Sequence, residues 1–248
     1  MVQWSWCGFP MVRRLLLANS ELDPALSAKA ASVRRRLLPW FARNGRGFLW
    51  REDTSAYIVL ISEILLKKTT AQMVDRFLPQ FLREFPDMEA LARVRMPKLR
   101  RALKPLGLSR QRSIQLRSLA STLVSIHGGR IPRSQEGLLG LPGVGLYTAN
   151  SVLCVAFGKA APVVDTNVAR IIVRVFGVSA TRREPRRCPL VWKIAEAVSG
   201  DCAKTARSTN WALLDIGASL CLPRNPKCGK CPLRTLCEFA LTVNARET

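Results

Sequence analysis

Asp165 is a candidate for electrostatic or acid–base chemistry because it directly follows the apolar pair Val163-Val164. Partial removal of water from a carboxylate changes its protonation chemistry, and the helical stretch expected next would add its own field. The same place suits a helix cap, since Asp165, Thr166 and Asn167 are all good N-cap residue types. The two interpretations are compatible, because one residue of the segment can cap a helix while Asp165 points into a cleft.

Glu63 is the second candidate, since it interrupts the apolar run 58–66. A carboxylate among so many apolar side chains is costly to bury unless it is paired or used. The alternative is the polar stripe of an amphipathic helix, because Ser62 is adjacent. The one histidine, His127, lies beside two glycines in an expected turn, which disfavours His-based triads and His-rich metal catalysis. Any catalysis therefore falls to carboxylates.

Four cysteines near the end of the sequence have the density of a metal site. They are separated by six, two and five residues, at Cys221, Cys228, Cys231 and Cys237. Structural zinc usually employs two paired Cys-x-x-Cys units, whereas here only Cys228 and Cys231 are so paired. The spacing therefore favours an iron–sulfur cluster over zinc, and unligated surface thiols are a poor alternative.

The segment Leu141-Pro142-Gly143-Val144-Gly145 predicts a tight hairpin between two helices. Its glycines let the backbone turn and approach a ligand, while the first N–H groups of the next helix lie at the positive end of its dipole. An anion fits there, and a DNA phosphate is the anion that the overall charge favours. The alternative is a purely structural turn, in which Leu141 and Val144 are packing residues.

Charge points to a polyanionic partner. The chain has 39 Lys and Arg against 17 Asp and Glu, a formal charge of +22. Such an excess favours binding to nucleic acid, because neutralised phosphates release their counterions. The alternative is that a GC-rich genome favours Arg codons and that the charges only form a solvated surface. The region 178–189, rich in Arg and Pro, predicts a basic surface loop.

Helical periodicity dominates the elements that must position these groups, and the predicted class is all-α. Helices are expected near 58–65, 75–85, 88–95, 97–104 and 110–126, with a further helix from Leu146 to about Phe157 that Gly158 ends. Pro86, Pro97 and the pair Gly128-Gly129 separate them.

The remaining cysteines are scattered at Cys7, Cys154, Cys188 and Cys202, which suits thiols in a reducing cytoplasm rather than a disulfide framework. The start of the sequence lacks an apolar core of signal-peptide length, and no later segment approaches a membrane span. Met11 could equally be the natural start, in which case the first ten residues carry no meaning. We expect a soluble intracellular protein.

Taken together, the hairpin, Asp165 twenty residues after Gly145, and the four-Cys pattern resemble the helix-hairpin-helix DNA glycosylase superfamily, which contains endonuclease III and the adenine glycosylases. The resemblance runs from about Phe48 to Cys237. It implies a six-helix domain with the hairpin at 49–159, a second helical domain from 1–48 and 160–248, and a DNA-binding cleft between them. It also implies a [4Fe-4S] cluster on the four cysteines.

Two segments, 61–71 and 107–112, most resemble the thymine–DNA mismatch glycosylases, which remove T or U opposite G. Tyr147 supports this subfamily, because the matching residue is Lys in the bifunctional endonuclease III type and usually Ser in the adenine glycosylases. A phenol cannot form the Schiff base that permits strand cleavage, so the resemblance implies a monofunctional, nucleoid-associated prokaryotic enzyme. Only eleven residues follow Cys237, so we expect the further domain with which adenine glycosylases commonly read 8-oxoguanine to be absent.

The resemblance also implies residue roles. Asp165 would stabilise an oxocarbenium-like sugar and position water, Tyr147 would wall the sugar pocket, and Glu63 would contact the flipped base. Asn167 would orient Asp165 or the nearby backbone. The expected contacts with duplex DNA are the hairpin 141–145, Asn167, the loop residues Lys67 and Lys68, and Leu108, Ser109 and Arg110 against the opposite strand. The alternative for the basic loop residues is simple phosphate attraction.

Three other functions stay open at this point. An adenine glycosylase acting opposite 8-oxoguanine or G, or another damaged-base glycosylase, would need only small changes in the pocket. A non-catalytic DNA-binding iron–sulfur module would use the hairpin and cluster but has no need of Asp165, Tyr147 and Glu63 together. In each case we expect a monomer on double-stranded DNA.

Overall fold

The computed structural model describes residues 22–179 and 184–244. Within these ranges the chain forms helices and turns and contains no strand, which confirms the all-α class. Residues 1–21, and Arg182 and Arg183 of the expected basic loop, lie outside the described residues.

In chain order the α-helices are α1 (Pro24–Asn44), α2 (Leu49–Glu52), α3 (Ala56–Leu65), α4 (Ala71–Glu84), α5 (Met88–Arg93), α6 (Met96–Ala102), α7 (Ser109–His127), α8 (Gln135–Leu139), α9 (Leu146–Val155), α10 (Thr166–Phe176), α11 (Pro189–Ser199), α12 (Ala203–Ser219) and α13 (Glu238–Asn244). Short 3₁₀ turns lie at Lys104–Leu106, Pro185–Arg187, Cys228–Lys230 and Arg234–Leu236. The predicted helices are therefore confirmed with small shifts at their ends.

The described residues separate into two compact units. One is Arg46–Val163, which holds α2 to α9. The other joins α1 to the chain from Val164 onward, with α10 to α13. The expected hairpin domain of 49–159 lies inside the first unit.

Helix α3 lies at the core of the Arg46–Val163 unit. Every residue from Val59 to Leu65 is buried, and α3 packs against α9, whose residues from Thr148 to Val155 are buried as well. A helix that is buried on all faces needs apolar residues on all faces, which is the composition of the run 58–66. The alternative in which Glu63 lies on an exposed polar stripe is therefore wrong, because Ser62 and Glu63 are both buried.

Local signals set the helix ends. Asp23, Thr70, Asp87, Ser134 and Asp165 each accept a hydrogen bond from a first-turn N–H of the helix that follows. Helix α9 ends at Val155, two residues before the expected Phe157, and the left-handed Gly158 follows in the turn.

In the other unit, α1 packs against α11 and α12. Arg34 of α1 donates from Nη1 to the carbonyl oxygen of Ala197 at 2.8 Å, which fastens α1 to the end of α11. Among the described residues, no helix combines the length and the apolar character needed to cross a bilayer.

Candidate functional site

Residues 140–145 join α8 to α9 as a tight hairpin. The Val144 N–H donates to the Leu141 carbonyl oxygen at 3.1 Å within the turn. Gln135, the first residue of α8, donates from Nε2 to Asn150 Oδ1 of α9 at 2.7 Å and so fixes the two helices to each other. The predicted helix, hairpin and helix are confirmed.

Gly143 and Gly145 differ in the property of glycine that the hairpin uses. Gly143 has a φ of +74°, and a Cβ there would lie 2.3 Å from Gln115 Nε2. Gly145 has an extended backbone with a φ of −103°, so the expectation that both glycines serve the turn is wrong for Gly145. A Cβ at Gly145 would meet no atom within 4 Å, so the glycine leaves the approach to α9 open.

The start of α9 has the features of an anion site. Its N-cap is Gly145, and no side chain caps its first N–H groups. Leu141 and Val144 are only 3% and 5% exposed, so their side chains are packing residues and only their backbone is available to DNA. Pro142 is half-buried and Gly143 exposed. The structural interpretation of the hairpin therefore holds for the side chains of Leu141 and Val144, and the phosphate-binding interpretation concerns only the backbone.

Glu63 is held inside the Arg46–Val163 unit. It is 8% exposed, and Ser151 of α9 donates from Oγ to its Oε1 at 2.5 Å. A buried carboxylate needs such donors to offset the loss of water. Glu63 is therefore fixed in orientation by the packing of α3 on α9.

Tyr147 lies in the first turn of α9 and is half-buried. It precedes Ser151 by four residues, and side chains four apart lie on the same face of a helix. Because Ser151 contacts Glu63, Tyr147 is on the α9 face that meets Glu63. Two of the three residues predicted for chemistry therefore lie on the packed helix pair α3 and α9.

The turn after α3 carries Lys67 and Lys68, as predicted. Lys67 donates from Nζ to the Gly143 carbonyl oxygen at 2.6 Å, so it ties the turn to the hairpin. Partial burial lowers the pKa of Lys67, and the nearby carboxylate of Glu63 acts in the opposite direction. Lys68 is exposed and has a left-handed backbone with φ 55°. Lys67 is also exposed, so both lysine side chains of this turn reach the surface.

The predicted second loop leads into α7. Leu108 is 46% exposed and, like Lys68, left-handed, with φ 49°. Ser109 is half-buried and Arg110 is exposed. An exposed apolar side chain on a strained backbone position is uncommon and marks this loop as a candidate contact.

Asp165 belongs to the other unit and is both a cap and a held carboxylate. Its Oδ1 accepts from the Val168 N–H at 2.7 Å, which confirms the cap of α10. Its Oδ2 accepts from Asn167 Nδ2 at 2.8 Å, so Asn167 orients Asp165. Asn167 in turn accepts at Oδ1 from Arg170 Nη2 at 2.9 Å. Both oxygens of Asp165 therefore have fixed donors, and the carboxylate remains half-exposed.

Arg170 connects this arrangement to the cysteine segment. It donates from Nε to the Cys221 carbonyl oxygen and from Nη2 to the Gly217 carbonyl oxygen, both at 2.9 Å. A Cβ at Gly217 would lie 2.7 Å from Asn167 Cβ, so a glycine is needed where α12 passes α10. The sequence places Asp165 and Cys221 far apart, yet one arginine links their neighbourhoods.

The four predicted cysteine ligands line one cavity, together with Arg174 and Phe239. Arg174 donates to the carbonyl oxygens of Leu222 and Pro223 at 2.7 and 2.9 Å and lies 3.4 Å from Cys221 Sγ. Burial raises the pKa of Cys231 to about 11 and also raises that of Cys237. Ligation by iron favours the thiolates instead.

The arrangement of these cysteines suits a cluster better than a single ion. In a zinc site all four sulfurs lie about 2.3 Å from one ion. No group of three or more His, Cys, Asp or Glu side chains in the described part of the chain converges enough to hold a single ion. The four cysteines nevertheless share a cavity, which fits a larger, multi-iron cluster.

Two residues that position the site had no assigned role in the sequence. Ser151 is a small polar residue in an otherwise apolar stretch of α9, and its spacing from Tyr147 was the one available signal. Arg112 of α7 is buried and donates to backbone oxygens near Lys67 and Leu108. Its position in an ordinary helical pattern gave no signal.

Two models of known protein families match the parts of the chain that carry this site. The model of the HhH-GPD superfamily base excision DNA repair proteins matches residues 61–193. That of the iron–sulfur binding domain of endonuclease III matches residues 221–237. Four cysteines lie in the second match, and the cofactor is a [4Fe-4S] cluster.

Individual relatives match nearly the whole of their own length. A thymine-DNA glycosylase of Aeropyrum pernix is 38% identical over 84% of this chain and 94% of that protein. A thymine/uracil-DNA glycosylase of Methanothermobacter thermautotrophicus is 37% identical over 88% and 97%. The solved structure of a thermostable thymine-DNA glycosylase has a TM-score of 0.82 and 34% identity over 88% of this chain and 99% of that one.

Proposed function

We propose a specific reaction for this chain, which belongs to the HhH-GPD superfamily of base excision DNA repair proteins and is a DNA N-glycosylase. It hydrolyses the N-glycosidic bond of thymine or uracil paired with guanine and leaves an abasic site. The names of its relatives support this choice of base. The observation that carries it is Tyr147, half-buried on the α9 face that holds Ser151 against Glu63.

The hairpin grips DNA through its backbone. The uncapped N–H groups at the start of α9 hold a phosphate, and Gly145 leaves the space that a phosphate needs. Contacts of this kind fix position without reading sequence. The target nucleotide then leaves the stack, a step that costs least at a mismatch.

Lys68 and Leu108 enter the space around the extruded base from two loops. Both side chains are exposed, and both backbones are left-handed. Lys67, which is exposed as well, ties this turn to the hairpin through the Gly143 carbonyl oxygen. Ser109 and Arg110 contact the strand that carries the guanine. Asn167 contacts DNA while its amide keeps its bond to Asp165.

The flipped base meets Glu63, and the sugar meets Tyr147. A carboxylate is an acceptor, so Glu63 accepts a hydrogen bond from an N–H of the pyrimidine ring. Ser151 holds Glu63 in the orientation for that bond. The phenol ring of Tyr147 forms a wall of the sugar pocket and excludes water from it.

Asp165 stabilises the positive charge that develops on the sugar as the bond breaks. Negative charge fixed near an oxocarbenium-like sugar lowers the barrier, and the carboxylate also positions water for attack at C1′. The donors Val168 N–H and Asn167 Nδ2 hold both oxygens, so no reorientation is needed in the transition state.

The [4Fe-4S] cluster has a structural role. Cys221, Cys228, Cys231 and Cys237 would hold it, and it would supply cross-links within the segment rather than electrons, because glycosidic hydrolysis transfers none. The exposed basic residues of this segment, Arg224, Lys227 and Lys230, then lie on a fixed loop that binds DNA.

A panel of duplexes, each with a single lesion, tests the reaction. We expect base release from G·T and G·U pairs, seen as strand breaks only after alkali. Matched A·T, and A opposite 8-oxoguanine or G, serve as comparison substrates. Borohydride should trap no adduct, because Tyr147 cannot form a Schiff base.

Each other outcome contradicts part of the proposal. Release of adenine alone would reverse the choice of base. Strand breaks without alkali, with a trapped adduct, would show lyase activity. Binding without release of any base would favour the non-catalytic module.

We also propose that one copy of the chain acts on each lesion, in a reducing compartment of a prokaryotic cell close to its DNA. The cysteines outside the cluster segment are scattered along the sequence rather than arranged as a disulfide framework, and this pattern supports that compartment. Size-exclusion chromatography of the protein with and without a lesion duplex should give the mass of one chain in each case.

A further inference from the structure

Arg112 is a buried cation whose described partners are neutral oxygens. Its side chain lies in α7, and the residue is 4% exposed. Nη1 donates to the carbonyl oxygens of Leu65 at 2.7 Å and Ile64 at 3.4 Å, at the C-terminal end of α3. The negative end of the α3 dipole thus offsets part of the cost of burying a guanidinium.

The remaining donors of Arg112 reach two separate loops. Nη2 donates to the Lys67 carbonyl oxygen at 2.8 Å and to Thr69 Oγ1, in the turn after α3. Nε donates to the Gly107 carbonyl oxygen at 3.1 Å, in the loop before α7. One guanidinium therefore fixes both loops at once.

The two carbonyl groups that Arg112 binds have a common feature. Each belongs to the peptide bond just before a left-handed residue, Lys67 before Lys68 and Gly107 before Leu108. In the described residues, positive φ at a non-glycine occurs at Lys68, Leu108 and Asn225. Left-handed backbone is unfavourable for these residue types, so an external restraint is needed to keep it.

We propose that Arg112 is a positioning residue that holds Lys68 and Leu108 together in the left-handed conformation, ready to enter the duplex. This inference rests on the proposed function, because it requires the side chains of Lys68 and Leu108 to face DNA. The planar fork of an arginine reaches both loops, whereas the single ammonium of a lysine cannot. Loss of the fork therefore frees both loops together.

Arg112→Lys keeps the charge and removes the fork, and Thr69→Val removes one bond alone. Arg117→Lys is the matched control, because Arg117 lies in the same helix and donates to the Val94 carbonyl oxygen away from both loops. Hydrogen–deuterium exchange of the free protein should rise in both 66–70 and 107–110 in Arg112→Lys. Thr69→Val should give a smaller rise in 66–70, and Arg117→Lys should change neither segment.

The second measurement uses duplexes with 2-aminopurine beside a G·T or G·U pair, in an Asp165→Asn background in which base release is slow enough to be separated from binding. Arg112→Lys should slow the rise in fluorescence about tenfold, while affinity for matched duplex changes less than about twofold. If the Asp165→Asn parent gives no rise in fluorescence, that result counts against the proposed function. Hydrogen–deuterium exchange then tests the role of Arg112 independently of that function. Exchange that rises in one loop only, or equally in Arg117→Lys, would overturn the proposal.

Discussion

At the residue scale, chemistry depends on how firmly each polar group is held before the substrate arrives. Both oxygens of Asp165 have donors, and Glu63 has Ser151 at 2.5 Å. Such fixed groups need little reorganisation when charge develops. The same hydrogen bonds also stabilise the fold. Variants that keep the fold and remove only the charge separate the structural role from the role in the reaction.

Asp165→Asn separates them, because Asn and Asp cap helices about equally well. We expect base release to fall by about 10²–10³-fold, since the negative charge near the sugar is lost. Single-turnover base release and the affinity for lesion duplex are the measurements, and the affinity should remain close to that of the parent.

Asp87→Asn is the control, since Asp87 caps α5 through the Ala90 N–H at 2.7 Å and has no assigned role in the reaction. The two variants should have similar melting temperatures. Equal rates of base release in Asp165→Asn and Asp87→Asn would remove Asp165 from the mechanism.

At the element scale, the hairpin depends on one backbone conformation. Gly143 has a φ of +74° and contacts Gln115, and its carbonyl oxygen accepts from Lys67. The hairpin, the turn after α3 and helix α7 are thus joined at a single residue. A change at Gly143 should disturb DNA binding and not only stability.

Gly143→Ala should destabilise the protein by about 1–2 kcal/mol through its left-handed backbone. It should also weaken binding to matched and mismatched duplexes to the same extent, because the hairpin contacts phosphate rather than bases. Thermal unfolding and fluorescence anisotropy measure the two effects.

Gly158→Ala is the matched control for strain. Gly158 has a φ of +62°, a Cβ there would meet no atom within 4 Å, and the residue follows α9 rather than preceding it. The variant should lose comparable stability and keep its affinity for DNA. A Gly143→Ala protein that binds DNA as tightly as Gly158→Ala would exclude the hairpin from the interface.

At the scale of the whole molecule, the cluster segment is linked to helix α10. Arg170 and Arg174 of α10 bind four backbone oxygens of Gly217, Cys221, Leu222 and Pro223. The same helix is capped by Asp165. Loss of the cluster should therefore reach beyond the segment that holds it.

Cys231→Ser should lose iron, sulfide and the yellow-brown absorbance, and should weaken DNA binding by about tenfold or more. Cys202→Ser, at an exposed cysteine outside the cluster segment, should change none of these. Iron and sulfide analysis, absorbance and anisotropy make the comparison. One zinc ion per chain in the parent protein would contradict the cluster.

The sequence by itself determined the features that depend on neighbouring residues. Caps such as Ser134 and Asp165, the hairpin around Gly143 and the helical class follow from contacts a few positions apart. The spacing of the four cysteines likewise favours iron–sulfur over zinc without any knowledge of the fold. These signals are local, so they can be read along the chain.

Only the tertiary structure decided which distant groups meet. Ser151 and Glu63 are 88 positions apart, and Arg112 and Leu65 are 47 apart. Periodicity shows that α3, α7 and α9 are helices, but a helix presents many faces, and packing alone selects the face that meets its neighbour. That packing decides which groups meet Glu63 and lets Arg112 bind two loops. Hydrogen bonds require atoms within about 3 Å of each other, and no local sequence pattern fixes such distances.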